Sequence, residues 1–138
     1  MFSLIILSLC MSITFGSVTE LDSSNFDSIA MDPSKNVLVE FYTQTCGACR
    51  GLAPIYDKVS QAFESEPNCM VAKIDVGTYK DIGERFSIPA YPTIKLFSTT
   101  NKLGEDYDYI NGRGEQDFIN YMNNKCNARR MSGGAVLP

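Results

Sequence analysis

A junction between an apolar run and a helical pattern constrains this chain more than any other feature. Val37-Leu38-Val39-Glu40-Phe41-Tyr42 is almost continuously apolar, and Cys46-Gly47-Ala48-Cys49 follows three polar residues later. Beyond Cys46, apolar positions recur at helical spacing at Cys49, Leu52, Ala53, Tyr56, Val59 and Phe63. The first run reads as a central strand covered on both faces. Pro54 falls inside the second pattern and should kink the helix rather than end it, because the periodicity continues past it.

Strand and helix patterns alternate along the rest of the chain. Val18–Leu21 forms a short strand, and Ser23-Ser24-Asn25 offers caps for a helix through Phe26, Ile29 and Ala30. After the turn at Asp32–Asn36 and the central junction, Met70–Asp75 reads as a second buried strand and Lys80–Phe86 as a short helix. Thr93–Phe97 is a third strand, turning at Asn101-Lys102-Leu103-Gly104 into a strand over Asp106–Ile110. Glu115–Asn124 closes with a helix carrying Phe118, Ile119 and Met122. The order β-α-β-α-β-α-β-β-α predicts an α/β fold in which a mixed central sheet carries helices on both faces. With 138 residues, a single domain is expected over residues 17–126, with residues 127–138 as a flexible tail.

Composition removes several classes of function. The chain has no His, which excludes Ser-His-Asp and Cys-His catalysis and removes the commonest metal ligand. Twelve basic residues against sixteen acidic ones, without a basic patch, argue against a nucleic-acid partner. Met1–Gly16 carries no charged side chain and reads as a signal peptide, a buried N-terminal strand or a signal anchor being the alternatives. Its cleavage would remove Cys10, leave no membrane span, and leave Cys46, Cys49, Cys69 and Cys126 for an oxidising compartment.

The Cys46–Cys49 spacing carries the chemistry. Two cysteines three positions apart at a helix start can close a disulfide across one turn. The unpaired N–H groups and dipole of that helix end favour the thiolate of the first. Cys46 is therefore the expected exposed nucleophile and Cys49 the thiol that resolves a mixed disulfide. A zinc half-site or an inert bridge are the alternatives; zinc would require ligands from Cys69, Cys126 or carboxylates, and no metal site is expected.

These residues resemble the protein disulfide isomerases of the thioredoxin fold from about Val18 to Cys126. The resemblance is carried by Val39-Glu40-Phe41-Tyr42, the Cys pair, Leu52-Ala53-Pro54, Ala72-Lys73-Ile74-Asp75, Ile88-Pro89-Ala90-Tyr91-Pro92-Thr93 and Asn111-Gly112-Arg113. It implies a three-layer thioredoxin-like fold and thiol–disulfide exchange on secretory-pathway polypeptides. Glu40 would be buried with a raised pKa, exchanging a proton with Cys49 and pairing with Lys73. Arg113 would swing toward Cys49. Pro92 would be a cis proline that, with Tyr91 and Ile88, receives extended client backbone. Cys69 and Cys126 would lie at the sheet end remote from Cys46, where a structural disulfide and two free thiols are both open.

The departures from that pattern bear on redox behaviour. Thr45 stands where relatives often have Trp, and Ala48 where they often have His between the cysteines. Without that His the Cys46 thiolate loses a supporting charge, which implies a weaker oxidant than His-containing relatives. No dissociable cofactor is implied, since the electrons reside in the Cys pair. Expected partners are unfolded or disulfide-containing polypeptides, with an upstream redox protein or glutathione supplying equivalents. A chaperone-like binding module and a dedicated redox-transfer protein are the rival readings. The endoplasmic reticulum lumen is the expected location, or secretion, since no KDEL-like signal stands among Gly134–Pro138.

Overall fold

The computed structural model describes residues 18–138, so the expected signal peptide lies outside the described residues. The elements are β1 (Thr19–Leu21), α1 (Phe26–Ala30), β2 (Asn36–Tyr42), α2 (Gly47–Phe63), β3 (Cys69–Asp75), α3 (Lys80–Arg85), β4 (Thr93–Phe97), β5 (Glu105–Asp106) and α4 (Glu115–Cys126). They form one five-stranded sheet in the order β1-β3-β2-β4-β5. β1, β3 and β2 run parallel, while β4 is antiparallel to β2 and β5 to β4. The two parallel crossovers need helices, and α1 and α2 supply them.

Side chains alternate across β2 and so divide the core into two layers. Val37, Val39 and Phe41 join Phe26, Ile82 and Phe97 under α1 and α3. Leu38 faces the other way, into a layer built by Tyr56, Val59 and Phe63 of α2 and Phe118, Ile119 and Met122 of α4. The Tyr56 hydroxyl, fully buried, donates to the carbonyls of Leu38 at 3.2 Å and Ala72 at 3.1 Å, fixing α2 to the two central strands. α2 passes through Pro54 without ending, as the periodicity requires.

Two expectations change at the C-terminal side. The strand expected over Asp106–Ile110 is only the two residues of β5, followed by a single 3-10 turn at Tyr109–Asn111. Asp108 stops the strand: its carboxylate accepts the Ile110 N–H at 3.0 Å, a local bond that competes with strand pairing. The tail is docked rather than free. Arg130 pairs with Glu66 at 2.7 Å, its backbone exchanges hydrogen bonds with the Asn123 side chain, and it bridges to Val136 across a small hairpin. The Arg130–Glu66 pair is largely shielded, at 15% and 21% side-chain exposure, so little solvent competes with it.

Cys69 and Cys126 form a disulfide, with Cα atoms 5.8 Å apart. It joins the start of β3 to the end of α4 across a separation of 57 residues, beside the bond from Asn68 to the Cys126 carbonyl. A bridge closing a loop of that length limits the unfolded chain and stabilises by roughly 4 kcal/mol in the chain-entropy account. Replacing both residues by alanine is therefore expected to lower stability by about 2–4 kcal/mol. Urea unfolding checks this, and an unchanged midpoint would show the bridge to be energetically idle.

Candidate active site

The sheet places chemistry at one end. Cys46 lies four residues beyond the end of β2 and is the N-cap of α2. Its sulfur accepts the Cys49 backbone N–H at 3.1 Å, one of the donors that a helix start leaves without an intrahelical partner. Cys46 and Cys49 form a disulfide with Cα atoms 5.2 Å apart. Cys46 is half-buried, whereas Cys49, one turn along, is 5% exposed. Of the two sulfur-bearing residues, Cys46 is thus the more accessible to a partner.

Glu40 lies below this turn. Alternation along β2 puts it on the same face as Leu38, beneath α2, where it is only 3% exposed. Burial pushes its carboxyl up to about 7, partly offset by the positive charge of Lys73 and reinforced by Glu20 and Asp57. Glu40, Lys73 and Cys49 line one cavity of about 120 Å³, together with Tyr42, Gln44 and Ala53. The carboxyl and the inner cysteine thus face a common space at the base of the disulfide.

Register explains where Lys73 goes. Glu20, Lys73 and Glu40 are direct neighbours across β1, β3 and β2, so the lysine stands between two carboxylates on one face. The expectation that it pairs with Glu40 is corrected: its ammonium ion-pairs with Glu20 at 3.3 Å and lies over the Tyr42 ring. Glu20 is the more solvated carboxylate, with a side-chain exposure of 54%, whereas charging Glu40 requires its desolvation. The Tyr42 hydroxyl also donates to Glu20, at 3.0 Å. Glu20 was not among the expected site residues, because only the cross-strand register brings it beside Lys73.

The segment before β4 closes the site from another side. Phe41 pairs with Thr93, which sets Pro92 level with Tyr42 at the end of the sheet that carries Cys46. The Tyr91–Pro92 peptide is cis. Pro92 is buried, while Tyr91 is 44% exposed and with half-buried Ile88 lines an open groove of about 380 Å³ against α3. The Arg113 guanidinium stacks on the Tyr109 ring, 3.7 Å from the centroid. Asp75 organises the loop beyond β3, its carboxylate accepting from Gly77 and Thr78 N–H and from the Gln44 side chain. Tyr109 acts on the Pro92 carbonyl, which only the fold brings near, and the Gln44 side chain reaches Asp75 in the same way.

Comparison with known proteins agrees with this geometry. The thioredoxin family pattern matches residues 17–124. A protein disulfide isomerase-like 2-2 of Oryza sativa subsp. japonica is 42% identical over 120 residues, covering 87% of this chain and 32% of the relative. A protein disulfide-isomerase of Schizosaccharomyces pombe is 40% identical over 120 residues, covering 87% and 33%. The chain therefore spans about a third of the length of the curated relatives it matches. Among solved structures, the first thioredoxin domain of mouse protein disulfide-isomerase A4 superposes with a TM-score of 0.65 at 28% identity, covering 83% of this chain and 82% of that one. Human ERp44 superposes at 0.69 with 28% identity, covering 78% and 32%. By sequence, by fold and by the position of its cysteine pair, the chain belongs to the thioredoxin family.

Proposed function

We propose that this chain is a thiol–disulfide oxidoreductase and isomerase acting on disulfides of polypeptides in the secretory pathway. The observation that carries the reading is the Cys46–Cys49 disulfide at the α2 N-terminus, sharing a cavity with a buried carboxyl that titrates near neutral pH. In the reducing direction, the Cys46 thiolate attacks one sulfur of a client disulfide and expels the other as a thiolate. Glu40, as carboxylate, takes the proton of Cys49 through the shared cavity. Cys49 then attacks the Cys46 sulfur, releases the second client thiolate and regenerates the enzyme disulfide seen here. Two electrons pass from the Cys pair to the client, and the reverse sequence oxidises a client dithiol.

The remaining residues take supporting roles in this reading. Lys73 tempers the rise of the Glu40 pKa by charge, and Arg113, exposed beside the site, favours thiolate when it leaves Tyr109. Tyr91, Pro92 and Ile88 receive the extended client. A cleaved signal peptide at residues 1–16 and a second disulfide suit the endoplasmic reticulum lumen or secretion. No helix among the described residues is long and apolar enough to cross a membrane.

Reduction of insulin by a thiol donor tests the reading. Activity is expected in the native chain and its loss in Cys46→Ser. Suppression of client aggregation that survives Cys46→Ser, without any insulin reduction by the native chain, would favour a binding module.

Glu40 supplies a second test with opposite signs for activity and stability. Its folded pKa of about 7 lies above the unfolded value near 4.5. Its contribution to stability is therefore full below about pH 4.5 and is lost as pH rises through about 7, where the buried group must charge. Glu40→Gln should flatten that loss and make the protein more stable than the native chain above pH 7. The same change should slow formation of the Cys49 bond by roughly a hundredfold or more. Denaturant unfolding at several pH values and single-turnover kinetics measure the two; equal slopes in both proteins would show that Glu40 is not buried in its neutral form.

Ala48 sets a third. Exposed between the cysteines, it leaves the Cys46 thiolate without a neighbouring cation at that position. Ala48→His should raise the reduction potential of the pair by on the order of 30 mV, a tenfold change in equilibrium. Equilibration in glutathione buffers reads the shift. A native potential already as oxidising as about −120 mV would overturn the weak-oxidant reading.

A further inference from the structure

Tyr109 touches two parts of the site. Its hydroxyl donates to the Pro92 carbonyl at 2.5 Å, and its ring carries the Arg113 guanidinium on one face. The residue is held from its own side of the chain as well. It begins the 3-10 turn Tyr109–Asn111, capped by the Asp108 carboxylate. Gly112 closes the turn at φ +92°, where a side chain would run into the Asp117 carboxylate. The Tyr107 ring packs edge-on against Tyr109 at 5.9 Å. The phenol is therefore a rigid prop standing between the loop before α4 and the segment before β4.

We propose that Tyr109 is a positioning residue for client docking, its hydroxyl fixing the Pro92 carbonyl and thereby the Tyr91–Pro92 backbone against which a polypeptide client aligns. This inference rests on the oxidoreductase reading above. Burial raises the Tyr109 pKa, so the hydroxyl keeps its proton and remains a donor throughout the working range. The Cys46–Cys49 pair is held by α2 and by the Cys49 N–H, independently of this bond. Loss of the hydroxyl should therefore weaken docking of a peptide while leaving the sulfur chemistry intact.

Tyr109→Phe removes the hydroxyl and keeps the ring under Arg113. For a quenched-fluorophore peptide disulfide, KM is expected to rise about fivefold, the worth of one hydrogen bond near 1 kcal/mol, with kcat changed less than twofold. Hydroxyethyl disulfide has no peptide backbone to align, and its KM should not move. Tyr121→Phe is the matched control: it deletes a buried phenol hydroxyl that has no hydrogen-bond partner among the described residues, and should leave both KM values unchanged. Equal changes for the two substrates, an unchanged peptide KM, or the same rise in Tyr121→Phe would each overturn the assignment. A native chain that reduces neither substrate would instead bring down the oxidoreductase reading on which it rests.

Discussion

The burial of one carboxyl against the first turn of a helix is the constraint around which this molecule is arranged. Glu40 occupies an apolar strand on the face where Leu38 joins the core, and α2 lies over it. An ionised carboxylate there loses much of its hydration, so the group titrates near neutrality rather than near pH 4.5. The fold offsets part of this with Lys73, and shares that cation with Glu20. Full neutralisation by a close ion pair would return Glu40 to a permanently charged state. Placing the lysine nearer the solvated partner leaves the buried one free to gain and lose a proton at working pH.

The two disulfides divide the sheet by task. β3 runs for seven residues, about 20 Å at ordinary strand rise, from Cys69 to Asp75. At the Cys69 end, the bridge to Cys126, the Asn68 contact and the Glu66–Arg130 pair tie α2, β3, α4 and the tail together. At the Asp75 end lie the cysteine pair, Glu40 and the Pro92 segment, where polar groups are buried and one carboxyl resists charging. The second disulfide and the shielded ion pair thus sit at the end of the sheet away from Cys46. That separation lets the reactive end keep a group that costs stability above pH 7.

Much of this was legible in the sequence because its signals are local. The apolar runs at Val37–Tyr42 and Met70–Asp75 and the helical spacing after Cys46 mark elements whose existence packing then confirms. Period-two alternation of β2 already places Glu40 with Leu38, on the face that α2 covers. What the sequence did not show depends on register and on backbone partners. Lys73 meets Glu20 only because β1, β3 and β2 align in that frame. The tail from Asn127 has the small, polar composition of a free end, yet Asn123 and Glu66 hold Arg130 through contacts distant in the chain. Tyr109 likewise acts on a carbonyl seventeen residues away.

Chain composition also narrows how the cysteine pair is controlled. Without any histidine, the surroundings of Cys46 lack the side chain that most readily changes charge near neutral pH. The α2 N-terminus supplies support to the thiolate, visible here as the Cys49 N–H directed at the Cys46 sulfur. Backbone dipoles do not titrate, so that support is constant with pH. Protonation control then falls on the inner cysteine and on Glu40, beneath the surface, rather than on a cation beside the nucleophile. In the oxidoreductase reading proposed above, the pH response rests on a buried carboxyl and the support of the thiolate on a helix terminus, two properties that the sequence can vary independently.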